Sequence, residues 1–488
     1  MAISQKPTRK SINLPDSTFV LDNGAYTIKA GFASNIDSAI DAEHLQNCEI
    51  IPNSLVRSRD KKTYIAAQQH QITQWSEAIF RRPIENGQLV SWEVQKEIWD
   101  YSFFEQKTAR EKCFVADPAE TTLLLTEQPN SMPALQRNTD EIVMEEYGFG
   151  GYARCIGPTL NAFHDYDRIF RPQTHEAGTA GHDKSSSPSY SPIECLLVVD
   201  CGYSSTTITP CLNGKPIQRA IRRMDFGGKH LTNLLKETIS VRHFDLSQDT
   251  KVVNDIKEDV CFVSQDLKAD MEKTWKGNRT SSTQSRTSRQ EQDGNSMEID
   301  QTHIIDVDYI LPDGVNLLRG FSRPHDPSSL PTAKTKTKIA RQHTLSSTSP
   351  AEILMTLTNE RFLPPELLFT PSTTGSRHPG LADCIVQSLS TVPPLLQATM
   401  LANVLVVGGT ATLPGFRGRL EDELRARTRS EWTVKVCRVD IPDGSLSSWL
   451  GGVRLATNHG DELRARAVSK AEYEEYGAGW LARRFSGV

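Results

Sequence analysis

Residues 19–32, FVLDNGAYTIKAGF, form an apolar run that meets Asp22-Asn23-Gly24 and continues at once as a second alternating stretch. Aspartate, asparagine and glycine tolerate the tight backbone of a bend, so the stretch predicts a hairpin with a carboxylate at its turn. The same device returns far along the chain. Residues 196–209, LLVVDCGYSSTTIT, again run from apolar residues through an Asp-x-Gly bend, Asp200-Cys201-Gly202, into a β-branched strand. Glycine lets turn amides approach an anion closely, and an apical carboxylate can hold a hydrated cation beside it, so the chemistry this pair suits is phosphate binding. One such hairpin is ordinary turn chemistry. The pair is what points to a ligand.

The chain has 488 residues, enough for two to four domain-sized cores, and its 37% apolar and 24% charged residues are those of a soluble globular protein with some polar filler. A net charge of −5 gives no global positive field to draw it to nucleic acid or an anionic membrane. Its nine cysteines are scattered without a C-x-x-C pair, which indicates neither a zinc site nor a disulfide framework and implies buried thiols in a reducing compartment. No stretch approaches the ~18 apolar residues of a membrane span, and the amino terminus has no apolar signal core, so an intracellular protein is expected.

Residues 1–17 read as a polar, slightly basic tail. Residues 89–104, LVSWEVQKEIWDYSFF, place Val94, Ile98 and Trp99 on one helical face, expected to pack in the core. Residues 255–275 repeat Ile256, Val260, Val263, Leu267 and Met271 at helical spacing, which predicts one continuous helix. Residues 403–407 read as a buried strand before the tight turn Gly408-Gly409-Thr410, with a helix beginning near Phe416, and residues 433–439 as a further strand. A bulky side chain at Gly409 is expected to overpack that turn. Three polar segments, 175–191, 277–301 and 322–350, have the composition of disordered inserts. The last carries Lys334, Lys336, Lys338 and Arg341, a run that could grip phosphate, be read as a nuclear address, or simply be solvated.

Taken in order, DNGAYTIKAGF, IPNSLV, RRPIENGQLVSWE, VVDCGYSSTTIT, DFGGKHLT, DIKEDVCFV, NERFLPPELLF, NVLVVGGTATLPGF, SWLGGVRLA and SKAEYEEYG resemble the actin family almost from end to end. The stretch from Arg81-Arg82-Pro83 to Tyr101, with Glu145-Glu146-Tyr147, most resembles its nuclear actin-related branch. The resemblance implies an α/β, two-lobed fold, each lobe an RNase H-like mixed five-stranded sheet flanked by helices. The first lobe would span 18–174, with a small subdomain at about 45–79, and be completed by 445–488. The second would span 192–444, with an outer subdomain at about 229–376. It further implies a nucleotide site in which Asp22, Asn23, Gly24 and Lys29 match the first phosphate loop, and Asp200 and Gly202 the second. Lys257 and Glu258 match the pair near adenine and ribose, and Gly408, Gly409 and Thr410 the adenosine-side turn.

The departures from the family pattern shape the expected function. Ala25 and Tyr26 stand where actin has serine and a second glycine; Tyr203 replaces an acid near the metal; Thr207 replaces the histidine near the attacking water; and no Gln occurs between Glu141 and Phe170 to match the water-orienting glutamine. Hydrolysis needs that water held and activated. The resemblance therefore implies no catalytic residues, no metal-ligating residues, and ATP or ADP with Mg bound without turnover, or not bound. The expected role is a non-catalytic subunit of a SWR-type chromatin remodelling complex exchanging histone H2A for its variant. Its expected partners are a Snf2-type motor subunit, a small zinc-finger HIT subunit and, through the complex, nucleosomes and histones. No membrane and no homopolymer are expected, and the location implied is the nucleus with a cytoplasmic pool. The alternatives are an actin-like ATPase of cytoskeletal type and a sugar kinase of the same superfamily.

Overall fold

The computed structural model describes residues 14–34, 41–59, 61–73, 75, 78–170, 193–243, 245–275, 305–313, 317–325 and 353–485. Both predicted hairpins form. Ser17–Asn23 pairs antiparallel with Thr27–Phe32, and Cys195–Cys201 with Thr206–Leu212. Each nucleates a larger sheet. The first hairpin is extended on one side by Glu49–Pro52 and on the other by the parallel strands Thr121–Glu127 and Gly151–Ile156, with the two-residue strand Val468–Ser469 at the far edge. The second hairpin is extended by Lys215–Pro216 and, in parallel, by Val404–Val407 and Val436–Cys437, while Arg222–Met224 pairs with Thr206–Ile208. Two mixed sheets flanked by helices make the two-lobed α/β architecture.

Strand side chains alternate between faces, and both faces of each sheet are apolar, so one strand feeds two cores. Phe19, Leu21, Leu123 and Leu125 enter the core of the first lobe with Trp99, Phe103 and Tyr152. Leu197, Val199 and Ile208 enter that of the second with Leu231, Ile256, Phe369 and Phe416. The alternate residues Val20, Leu124, Leu196, Val198, Leu405 and Val407 meet in a third core between the sheets, filled by Trp449, Leu450 and Leu455 of the Ser447–Asn458 helix. Trp449 Nε1 donates to Val20 O at 3.1 Å. The lobes are thus joined at their base by continuous apolar packing, and the two hairpin turns face each other above it.

Several boundaries differ from the sequence reading. The helix expected over 255–275 is Thr250–Val260 followed by a break at 261–266 and a second helical stretch. Backbone amides in the break donate elsewhere, Phe262 N to Arg361 O and Val263 N to Pro414 O, and Met271 is exposed, not part of a stripe. The expected strand 433–439 contracts to Val436–Cys437. Ser17 belongs to the first strand and not to the tail. Ser322 likewise lies in the edge strand Phe321–Pro324, paired with Val307–Ile310, which on its other side pairs with Leu354–Leu357. Residues 175–191, 277–301 and 326–350, including the Lys334–Lys338 run, lie outside the described residues.

Two turns have consequences for the cleft. Residues 55–65 form a short hairpin, Leu55–Arg57 with Thr63–Ile65, closed by Ser58 N to Lys62 O. Ile84–Glu85 and Gln88–Leu89 are joined by Asn86-Gly87 with φ of 47° and 74°. That left-handed pair is the geometry for which Asn-Gly is favoured in a two-residue hairpin. It carries Asn86 O to the other lobe, where Arg223 Nη2 donates to it at 2.6 Å.

Candidate functional site

Between the facing turns lies a cavity of about 500 Å³, within the ordinary ~300–1,000 Å³ range of small-molecule sites. All eleven residues singled out from the sequence, Asp22, Asn23, Gly24, Lys29, Asp200, Gly202, Lys257, Glu258, Gly408, Gly409 and Thr410, line it. The fold brings them together from four separate parts of the chain, 22–29, 200–202, 257–258 and 408–410.

The first turn is held by its neighbours, though Asn23 Oδ1 is buried without a hydrogen-bond partner. Asp22 pairs in register with Lys29, the carboxylate 3.9 Å from the ammonium, and its other oxygen accepts from Thr126 Oγ1 at 2.7 Å. Asn23 Nδ2 donates to Gln95 Oε1 at 3.1 Å, and Asn53 Nδ2 donates to Gly24 O at 2.9 Å. The second turn is pinned by backbone contacts: Gly228 N donates to Gly202 O and Lys229 N to Tyr203 O, where a helix begins. Thr410 Oγ1 adds a bond to Gly202 O at 3.2 Å. Burial first, and the neighbouring charge of Asp22 second, push the Asp200 carboxyl up to about 7 against the pull of Lys29.

Lys257 is buried, and burial lowers its pKa. Its ammonium donates to Asn254 Oδ1 at 2.8 Å, to Thr232 Oγ1 at 3.0 Å and to Gly228 O at 3.4 Å. It is therefore engaged within its own lobe. Glu258 accepts from Asn254 Nδ2 at 2.8 Å. At the turn after Val404–Val407 the crowded glycine is Gly408 and not Gly409. Gly408 has φ of 91°, and a Cβ there would stand 2.5 Å from Cys201 O and 2.8 Å from Asp200 Oδ1, whereas one at Gly409 would meet nothing within 4 Å. Overpacking at Gly409 is thus not supported.

Other lining groups escaped the sequence reading. Gly157 and Pro158, at the start of the short helix after Gly151–Ile156, line the cavity and bring no polar side chain to it. Glu127 and Arg154 line the same wall. Burial pushes the Glu127 carboxyl up to about 7, opposed by Arg154; Gln136 Nε2 donates to it at 2.8 Å. Arg154 bridges Glu127 at 3.7 Å and Asp140 at 3.5 Å, and Asp140 also accepts from Tyr152. Only the ends of strands place these groups there, and no local motif marks them. Thr207 is buried outside the cavity lining, its hydroxyl without a hydrogen-bond partner.

The donor set fits a nucleotide accompanied by a cation. The Asp200 carboxylate has no cation of its own on the second turn and a hydrated divalent ion would supply one, while Gly24 N and Gly202 N already donate within their turns, to Asp22 O and Ser205 O. Among the described residues no three His, Cys, Asp or Glu side chains gather as a metal centre, so such an ion would be held through water and phosphate. All nine cysteines are free thiols, eight of them buried. No helix among the described residues is long and apolar enough to cross a membrane.

A two-lobed fold with paired phosphate-type turns over a shared cavity defines the class, and the comparison with known proteins agrees: the actin family profile matches residues 14–486, and the chain belongs to the actin family. It is 47% identical to a protein of Aspergillus fumigatus named actin-like protein arp6, over 99% of this chain and 98% of that one. It is 46% identical to the Emericella nidulans protein of the same name, over 98% and 96%. The actin-related protein 6 of Arabidopsis thaliana is 32% identical over 96% and 98%. These relatives are named as actin-like or actin-related proteins and not as enzymes.

Proposed function

We infer that this protein is a non-catalytic actin-family subunit of a nuclear, SWR-type chromatin remodelling complex that exchanges histone H2A for its variant. The observation carrying the non-catalytic part is the cavity wall. Gly157 and Pro158 line it without a polar side chain, and Thr207, which takes the place of the family's histidine near the attacking water, is buried and not among the lining residues. Without a held and activated water, phosphoryl transfer lacks its nucleophile. The assembly part is supported by near full-length likeness to proteins named arp6. In this reading ATP or ADP with Mg is held without turnover, and a separate Snf2-type motor subunit hydrolyses ATP. That motor and a small zinc-finger HIT subunit are the direct partners, nucleosomes are met through the complex, and the protein is nuclear with a cytoplasmic pool. The short closed hairpin at residues 55–65 offers no long loop for a head-to-tail filament contact.

The test is affinity purification of the tagged chain from nuclei with identification of the co-purifying proteins, alongside a phosphate-release assay on the purified chain. A remodelling motor in the eluate and release at background are expected; an eluate without one overturns the assembly reading. A second reading, slow turnover, is favoured by Glu127, a cavity carboxylate poised near neutral pH. Phosphate release that disappears in Glu127→Gln would establish it.

A further inference from the structure

The two hairpins meet through their side chains as well as enclosing a cavity. Tyr26 follows the first bend and Tyr203 the second, and their rings stack across the cleft with centroids 4.8 Å apart and planes tilted by 31°. The Arg82 guanidinium lies 4.9 Å from the Tyr26 ring centre, 5.1 Å from that of Tyr203 and 5.4 Å from that of Phe80. Its Nη1 is buried without a hydrogen-bond partner, and among the described residues the charge is met by ring faces and by no carboxylate ion pair. Asn254 Nδ2, from the second lobe, donates to the Tyr26 hydroxyl at 3.2 Å. Tyr26 and Tyr203 line both the inner cavity and a second one of about 500 Å³ on its outer side, where Arg82, Lys229 and Lys251 lie. The ring pair is the partition between them.

We propose that Tyr26, Tyr203 and Arg82 form an inter-lobe clasp that closes the phosphate end of the inner cavity and makes it selective for a nucleoside diphosphate over the triphosphate. This rests on the reading that the cleft holds a nucleotide. Gly24 N and Gly202 N donate within their own turns, to Asp22 O and Ser205 O, and directly beyond these glycines a ligand meets aromatic rings. A ring face carries negative electrostatic potential and no donor. A third phosphate placed there would lose hydration without gaining hydrogen bonds. The nearest cation past the rings, Arg82, is already held against them. A diphosphate ends before the partition and leaves the clasp intact.

The experiment is calorimetric titration of the purified full-length chain, with Mg²⁺ present, by ADP and by the β,γ-imido analogue of ATP. ADP is expected to bind at least ~10-fold tighter, a difference of ~1.4 kcal/mol. In the double variant Tyr26→Gly with Tyr203→Ser the ratio should fall to within about 3-fold, through tighter binding of the analogue. Arg82→Gln, which leaves both bends untouched, should reduce the ratio part of the way, so the idea stays testable if the double variant does not fold. Equal affinities in the wild-type chain overturn the clasp and leave the nucleotide reading standing, as does a ratio that survives in the variants. Failure of both ligands to bind the wild-type chain overturns the two together.

Discussion

The two Asp-x-Gly hairpins share a local sequence and end in opposite electrostatic states. In the first, Asp22 faces Lys29 across the strand pair and accepts from Thr126. In the second, the residue opposite Asp200 is Thr207, which brings no charge. Burial then lifts the Asp200 carboxyl to about 7, with Asp22's charge adding to the effect. One hairpin is neutralised by the chain itself; the other is left for something else to neutralise. A repeated motif therefore need not be a repeated role. The cross-strand partner decides whether the apical carboxylate belongs to the fold or to a ligand.

The contrast is easiest to break from behind the second hairpin. Gly408 holds a left-handed φ of 91°, and its Cα lies so close to the hairpin that a Cβ would be 2.5 Å from Cys201 O. Gly408→Val adds β-branching to that strain and should cost more than ~3 kcal/mol in denaturant unfolding. Gly409→Ala, beside it in open space, should change stability by less than ~0.5 kcal/mol. Equal costs at the two positions would show that the turn relaxes freely.

Next in size is removal of Lys29, the cation the two acids share among the described residues. Lys29→Met leaves Asp22 and Asp200 facing a low-dielectric cavity uncompensated and should cost ~2–4 kcal/mol at pH 8. Adding Asp200→Asn to it should restore more than half. A fully additive double variant would mean that the two hairpins do not feel each other.

Asp200→Asn alone tests the asymmetry through pH. The folded-state value of about 7 lies above the ordinary 3.8, so the folded chain holds an extra proton between them. The associated stability is fully present below about 3.8 and is lost as pH rises through about 7. The ligand-free wild-type chain should thus lose stability between pH 5 and 8.5 relative to Asp200→Asn, with the variant melting ~2–4 °C higher at the alkaline end. Parallel melting curves across that range would show that water already solvates Asp200.

Much of this was legible in sequence because it is local. Alternating apolar residues and Asp-x-Gly bends specify hairpins, and the eleven residues matched to a nucleotide site do line one cavity. What was not legible depends on elements distant in the chain. The stack of Tyr26 on Tyr203 and the place of Arg82 above it require both lobes to be assembled. Gly157, Pro158 and the Glu127–Arg154 pair are site residues only because two parallel strands end beside the cavity. The expected helix over 255–275 failed for a related reason. Val263 is buried like Val260 and keeps the apolar period running through a break whose amides bond to other segments.

The smallest effect belongs to Thr207 itself. It is 2% exposed, lies opposite Asp200 and has a hydroxyl with no hydrogen-bond partner, while its counterpart across the first hairpin, Lys29, is engaged with Asp22. A buried hydroxyl that makes no bond carries a desolvation cost, and valine keeps the shape and the β-branching that suits a strand. Thr207→Val should therefore be neutral or stabilise the ligand-free chain by up to ~1 kcal/mol. If Thr207 instead completes a hydrogen bond when the cavity is filled, the variant should lose ADP affinity while gaining stability. Denaturant unfolding and ADP titration of the same variant separate the two outcomes. Stability up with affinity unchanged leaves Thr207 a strand residue, and stability up with affinity lost would place it in the site beside Asp200.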